Sequence, residues 1–511
     1  MEMYANTLPK ITDLLTEWIV DLQQELKSYK EKYLLLIEQI RLQRQYQFAS
    51  SSEKNLQINF FSDSEIIDMT DISDLSLKTN QNRNQGTYSM QKKHPGRRPL
   101  PSELPREIIV HDIPEEARIC ECGSHLTRIG EETAEQLKYI PAQLRVIQHI
   151  RPKYACKPCQ ENITIARMPK SFLPKSIATP ELVAHIIVSK YTDHLPLYRQ
   201  EAMWKRLDID LSRSSLSSWI LKVAELCQPV VNHLQKNILN ATYVQADETT
   251  IQVLSETTRQ NTQKSYMWVY RGGDLSRPTI VYNYQETRGG YHAQEFLTGF
   301  KGFLQTDAYS GYKWAGSNED VVTIGCMAHA RRPFADLAKL SKKQGLAMTA
   351  LQYFQKLYAI EKIAREKNLS AQERYELRRT KAPPILDEFK IWLEKNRMTV
   401  PEQHKLSRAI QYVLRHWKNL TNYLQDGRIE IDNNAVENAI RPFALGRKNW
   451  LFAGSPRGAY AGAVFYTLIE TCKANKMDPY QYLRTLFHRL PFCQTYEDYL
   501  PLLPQVIELM P

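Results

Sequence analysis

Residues 243–253 read YVQADETTIQV, with apolar and polar side chains alternating. Such alternation marks a half-buried strand, because successive side chains of an extended backbone point to opposite faces. It returns in KSYMWVYRGG (264–273) and PTIVYNYQ (278–285), and yields to helical spacing in HAQEFLTGF (292–300). It resumes in GFLQTDAYSGY (302–312) and VVTIG (321–325), before MAHARRPFADLAKL (327–340) takes up the spacing of a helix. The expected order is three strands, a helix, a strand, a short strand and a helix, a mixed α/β unit. Asp247 lies in the first strand, and Asp307 closes the fourth.

Downstream, residues 341–425 read almost wholly helical, an insertion ahead of IEIDNNAVENAIRPFALGRKNWLFAGS (429–455). There Asn433 and Asn434 are candidate caps for a helix on which Glu437 and Arg441, four apart, share a face. Pro442 is expected to end or kink that helix, leaving Arg447 and Lys448 on a turn open to DNA. A salt-bridged surface helix is the plainer reading of Glu430, Asp432 and Glu437 beside these cations. Upstream, three helices are expected over 171–240. They are TPELVAHIIVSKY starting at Thr179 or Pro180, LYRQEAMWKRL after a turn, and a third capped by Ser212 or Ser214. The pattern suits a helix-turn-helix reader of DNA, and equally plain three-helix packing.

Nearer the start, apolar residues at Leu15, Ile19, Leu22, Leu26, Tyr29, Tyr33, Leu36 and Ile40 form a heptad seam. It reads as a coiled coil that would make the chain a homo-oligomer, or as a lone amphipathic helix packed on its own domain. A polar linker follows, ending in KKHPGRRPLPSELP (92–105), where Arg97 and Arg98 suit either a phosphate-tracking arm or a solvated one. Cys120 and Cys122 (CEC) and Cys156 and Cys159 (CKPC) offer four thiolates for tetrahedral zinc. The short first turn leaves a redox CxxC or incidental cysteines as alternatives. Four ligands leave no open position, so such a zinc would be structural. Cys227, Cys472 and Cys493 read as core.

With 67 Lys and Arg against 56 Asp and Glu, the 511-residue chain carries a formal charge of +11, which favours a polyanionic partner. No apolar run is long enough for a membrane span, and MEMYANTLPKITDLL lacks the pattern of a secretion signal, so the expected place is the cytoplasm, at the nucleoid. Eight cysteines are too few for a disulfide scaffold at this length.

In a sheet of ribonuclease-H-like order the first and fourth strands are neighbours, and Asp247 and Asp307 would then project side by side. Carboxylates that close repel unless a divalent cation lies between them. Oxygen ligands alone favour Mg2+ or Mn2+ over zinc, and a pair of such ions serves phosphodiester chemistry. A helix on the sheet must supply a third acid, and Glu437 is placed to do so.

CECGSHLTRIGEETAEQLKYIPAQLRVIQHIRPKYACKPC, SKYTDHLPLYRQ, ADETT, LQTDAYSGY, CMAHARRPF and DGRIEIDNNAVENAIRPFALGRKNWLFAGS together resemble transposases of the insertion-sequence-66 family, with DDE chemistry, along nearly the whole chain. The resemblance implies a metal-binding triad of Asp247, Asp307 and Glu437, two Mg2+ or Mn2+ ions, and a structural Zn2+. It further implies that Cys326 and His329 lie near the site, and that transposon ends are cut and joined to target DNA. Arg441, Arg447 and Lys448 are candidate phosphate contacts. Accessory proteins of the same element are possible partners. Glu248 follows Asp247 directly, is expected to face the other side of the strand, and is not assigned. The rival readings are a zinc-containing DNA-binding regulator without catalysis, and a ribonuclease-H-like nuclease that only hydrolyses.

The expected architecture is multi-domain and mainly α. It comprises a coiled coil (1–48), a linker with a basic arm (49–105), a zinc-binding domain (106–170) and a helical DNA-binding region (171–240). An α/β ribonuclease-H-like core (241–340 and 426–475) then carries the helical insertion (341–425), and a helical tail (476–511) ends the chain.

Overall fold

The computed structural model describes residues 144–155, 163–257, 259–274, 276–340 and 345–510, with scattered residues between 18 and 136. Arg97, Arg98, Cys120, Cys122, Cys156 and Cys159 lie outside the described residues. The described residues between 18 and 33 are helical, and Ile19, Leu22, Leu26, Tyr29 and Tyr33 of the expected seam are exposed. Among the described residues no helix is long and apolar enough to cross a membrane.

Contacts divide the chain into two units, residues 67–168 and the remainder. In the smaller unit, strands β1 (Lys153–Ala155) and β2 (Ile163–Ile165) pair antiparallel, with Tyr154 opposite Thr164.

The larger unit is mainly helical around one mixed sheet of five strands. These are β3 (Tyr243–Gln252), β4 (Lys264–Asp274), β5 (Arg277–Gln285), β6 (Gly302–Thr306) and β7 (Val321–Gly325), in the order β5-β4-β3-β6-β7. The first three run as an antiparallel meander, while β6 and β7 run parallel to β3. The first and fourth strands of the block are therefore neighbours, as the sequence led one to expect. β6 is reached through helix α4 (Gly290–Phe296), since parallel strands need a crossover connection.

Before the sheet come α1 (Pro180–Tyr191), α2 (Leu197–Lys205) and α3 (Arg213–Leu239). Thr179 caps α1 by accepting from the Leu182 amide, with Pro180 at the first helical position where its missing N–H costs nothing. Ser212 caps α3 by accepting from Ser215. The 27-residue α3 buries Leu216, Ile220, Val223, Cys227, Val230 and Leu234, a stripe with helical spacing, against β4, β5 and α11 (Pro456–Ala474). At about 1.5–3 kcal/mol for each fully buried aliphatic side chain, that stripe ties α3 to the main core. Its first turn carries exposed Arg213 and Ser214.

After β7, α5 (Met327–Leu340) leads into a helical block of α6 (Leu346–Glu366), α7 (Ala371–Thr399), α8 (Lys405–Arg415) and α9 (Trp417–Thr421). This block has its own apolar core, centred on Phe334, Phe354, Phe389, Leu393 and Ile410. α10 (Asn434–Trp450) then crosses back to β3 and β4, followed by α11 and α12 (Pro479–Arg489).

Two expectations about α10 are corrected. Pro442 lies inside the helix and does not end it, so Arg447 and Lys448 sit on its last turn and not on a separate turn. An interior proline costs about 3 kcal/mol, and burial of Val436, Ile440 and Phe443 with close packing at Gly446 offsets it. A Cβ at Gly446 would meet the Tyr466 hydroxyl at 2.5 Å. Asn433 takes the N-cap position, as expected, but makes no cap bond with its side chain; the Asp432 carboxylate accepts the Asn434 amide at 3.2 Å instead.

Candidate active site

Two glutamines order the end of the sheet. Gln245 and Gln305 are a register pair on adjacent strands, both fully buried, and the Gln245 amide donates to Gln305 Oε1 at 2.9 Å. A buried amide must find partners on every side, and these reach the segment entering α10. Gln245 donates to the Asp432 carbonyl at 3.0 Å, and Gln305 to the Glu430 carbonyl at 3.0 Å. Tyr243 adds its hydroxyl to Gln305 and accepts the Glu430 amide. Asp247 and Asp307 each stand two residues beyond one of these glutamines. Asp247 thus continues β3 and Asp307 directly follows β6, both leading on from the last paired residues of the two strands.

Asp307 is held locally, with its Oδ1 accepting the Tyr309 amide at 2.9 Å and its carbonyl accepting the Tyr412 hydroxyl at 3.2 Å. Asp247 Oδ1 accepts the Glu248 amide at 2.8 Å. Burial holds the Asp247 carboxyl well above its ordinary range, and the charges of Glu248, Asp307 and Glu437 push it further. Glu437, on the first turn of α10, is also raised, by burial first and then by Asp432 and Asp307, while Arg332 and Arg441 oppose the rise. The structure thus brings Asp247, Asp307 and Glu437 within reach of one another's charge.

Glu437 faces α5. Its Oε1 lies 3.5 Å from His329 Nδ1 and its Oε2 4.0 Å from Arg332. Burial and the neighbouring Arg332 cation lower the His329 pKa, which keeps the ring neutral and able to act as a ligand. Cys326 is buried one residue before α5, and its sulfur accepts the Asn433 amide at 3.4 Å. Among the described residues, the donor atoms of Cys326, His329 and Glu437 lie within 4.8 Å of one another.

The other acids of the 429–437 stretch have partners of their own. Glu430 accepts from Arg374 at 2.9 and 3.1 Å, and Asp432 from the Tyr358 hydroxyl at 2.8 Å. Glu430 is thus in a salt bridge, but from the segment before the helix and with an arginine of the helical block rather than with the cations that follow it. Arg441 shares the site side of α10 and acts on Glu437. Arg447 corrects its expected role, because its guanidinium donates to the Thr250 backbone carbonyl and to Thr250 Oγ1 at 2.9 Å, locking α10 to β3. Lys448 is exposed.

On the opposite face Glu248 is buried beneath the Arg288 guanidinium at 2.6 Å and accepts the Tyr312 hydroxyl at 3.1 Å. Arg288 in turn stacks 3.8 Å over the Tyr309 ring. Sequence reasoning missed Gln245, Gln305, Arg332 and this Glu248 cluster. The available signal was QAD and QTD, an amide two residues before each strand acid.

Matches to known family models point to one family. Residues 175–461 match the model "Transposase IS66 family", 117–160 the "zinc-finger binding domain of transposase IS66" and 467–505 the "IS66 C-terminal element". Residues 35–109 match a model described as "Transposase C of IS166 homeodomain". The four candidate zinc cysteines fall within the zinc-finger match, which supports a structural zinc. The chain is 31% identical over 505 residues to the uncharacterized protein y4hP of Sinorhizobium fredii, covering 94% of this chain and 86% of that one. It is 34% identical over 440 residues to y4jD of the same organism, covering 83% and 85%. With y4qI the identity is 36% over 397 residues, covering 75% and 72%.

Proposed function

This chain belongs to the IS66 family of transposases, and on that premise we propose that it cleaves DNA at transposon ends and transfers the freed 3′ ends into target DNA. The observation that supports the reading is the gathering of Asp247, Asp307 and Glu437: burial first, and then the Asp307 charge among others, raises the carboxyl pKa of both Asp247 and Glu437, and Glu437 also acts on Asp247. The strand order β5-β4-β3-β6-β7, with an acid in the middle of β3, another directly after β6 and a third on a following helix, supports a ribonuclease-H-like core.

Half-buried carboxylates with like-charged neighbours fit hard divalent cations. Asp247, Asp307 and Glu437 would hold Mg2+ or Mn2+, two ions in the full assembly. Bound there, the ions supply charge neutralisation at the attacking and the departing oxygen. The protein's own part is placement. Gln245 and Gln305 fix the two strand acids against the base of α10, and α10 presents Glu437 with Arg441 a turn later. Water attacks a terminal phosphodiester in line, and the P–O bond to the 3′ oxygen breaks. That 3′-hydroxyl then attacks a target phosphate and loses its proton, while the target's own P–O bond to its 3′ oxygen breaks and the departing oxygen takes up a proton as a 3′-hydroxyl. Arg441 and exposed Lys448 hold DNA phosphates, and the basic arm with Arg97 and Arg98 adds contacts. The exposed heptad residues support self-association through the N-terminal helix, and proteins of the same element are candidate accessory partners.

Asp307→Asn tests the reading. It should abolish divalent-ion-dependent cleavage of end DNA while binding of that DNA persists, and cleavage at the normal rate would defeat the assignment. Supplying a pre-cut 3′ end with a target plasmid separates transposase from nuclease, because only the former yields joined product.

A further inference from the structure

We propose that Cys326, His329 and Glu437 form a second metal site, selective for a thiophilic divalent ion such as zinc, that competes with hard ions for Glu437. The competition rests on the reading of Glu437 given above; the binding itself does not. Cys326 and His329 are three apart where β7 passes into α5, so they share one side of that turn, and Glu437 comes to them from the first turn of α10. All three donor atoms lie within 4.8 Å of one another.

The contact between His329 Nδ1 and Glu437 Oε1 is informative. At 3.5 Å it is long for a hydrogen bond, and both atoms are buried without a hydrogen-bond partner. Two ligands on a tetrahedral zinc, each about 2.1 Å from the ion, stand about 3.4 Å apart. The pair is therefore spaced as an edge of such a polyhedron. Cys326 supplies the sulfur, and its hydrogen bond from the Asn433 amide is the kind of outer contact that steadies a thiolate ligand. On binding, the thiol S–H bond breaks, its proton leaves to solvent and a sulfur–metal bond forms, with no change of oxidation state. Sulfur, nitrogen and oxygen together select zinc or cobalt over magnesium, and three protein ligands leave the fourth position open. Zinc seated there would withdraw Glu437 from Asp247 and Asp307.

The test uses the full-length chain equilibrated with buffered free zinc, with zinc per chain measured by elemental analysis. Wild type should hold one zinc ion more than Cys326→Ser, His329→Gln and Glu437→Gln, and all four should keep the zinc of the cysteine module. Excess Mg2+ should displace the additional ion. Replacing the additional zinc by cobalt should give a thiolate-to-cobalt charge-transfer band that Cys326→Ser removes. Equal zinc content in wild type and the three variants, each folded by its unchanged thermal transition, would overturn the proposal and leave Cys326 as a core residue. End-cleavage assays fail or succeed independently. A chain that never cleaves yet binds the additional zinc through these residues keeps the site and loses the transposase reading, and the reverse outcome does the opposite.

Discussion

Glu361 is a fully buried acid and Asp247 a half-buried one in the same chain, and their surroundings are opposite. Glu361 accepts from Arg374 at 2.7 and 2.9 Å and from Arg378 at 2.7 and 2.8 Å, and Arg378 also donates to the Tyr423, Asp426 and Ile429 carbonyls. Its charge is answered completely within the protein, and the result is a clamp between α6, α7 and the segment leading to α10. Asp247 has one backbone hydrogen bond and three negative neighbours. A fold that satisfies one acid this fully and leaves another this frustrated has placed the second for something that arrives from outside. Local rule-breaking of this kind is expected at functional sites.

The largest effect should come from breaking the clamp. Glu361→Ala leaves two arginines buried without their carboxylate and should destabilise the chain by about 3–5 kcal/mol, read by denaturant unfolding. Gln305→Leu keeps the volume but takes the partner from the Tyr243 hydroxyl and the Glu430 carbonyl, and should cost about 1–3 kcal/mol. It should also reduce cleavage at unchanged DNA affinity, because the base of α10 loses its anchor.

The frustrated acid should behave in the opposite sense. In a chelating buffer Asp247→Asn should raise the melting temperature while removing cleavage. The sign follows from its raised folded pKa. The stabilising contribution of protonation is fully present below the ordinary value of 3.8 and is lost as pH rises through the folded value. The advantage of the variant over wild type should therefore shrink as pH falls towards that range, and disappear at neutral pH when Mg2+ is added. An advantage independent of pH and of metal would break the contrast. At the small end, Arg457→Ala removes an exposed pair with Glu225 and should change stability by less than about 0.5 kcal/mol.

Much of this was legible in the chain. The period-two runs gave β3 to β7 in order, and the placement of Asp247 and Asp307 followed once β3 and β6 were neighbours. Glu437 was legible because a four-residue spacing to Arg441 puts both on one side of a helix. What escaped was set by contacts distant in sequence. Gln245 and Gln305 look like ordinary polar strand residues until the segment at 430–432 is laid across them. Pro442 looks like a stop until the packing of Phe443 and Gly446 is counted, and Arg447 looks free for DNA until Thr250 is found beneath it. In each case tertiary burial overrode a sound local preference.

Asn433 donates its amide to Cys326 across 107 residues of chain, and that hydrogen bond staples the exit of the helical block to its entrance. The two strand acids meet after only a short meander and one crossover, whereas Glu437 cannot reach them until everything between has packed. Assembly is thus ordered by topology: a chain still being synthesised carries two acids and no third. On the proposed reading, the third acid is the last piece of the site to be put in place.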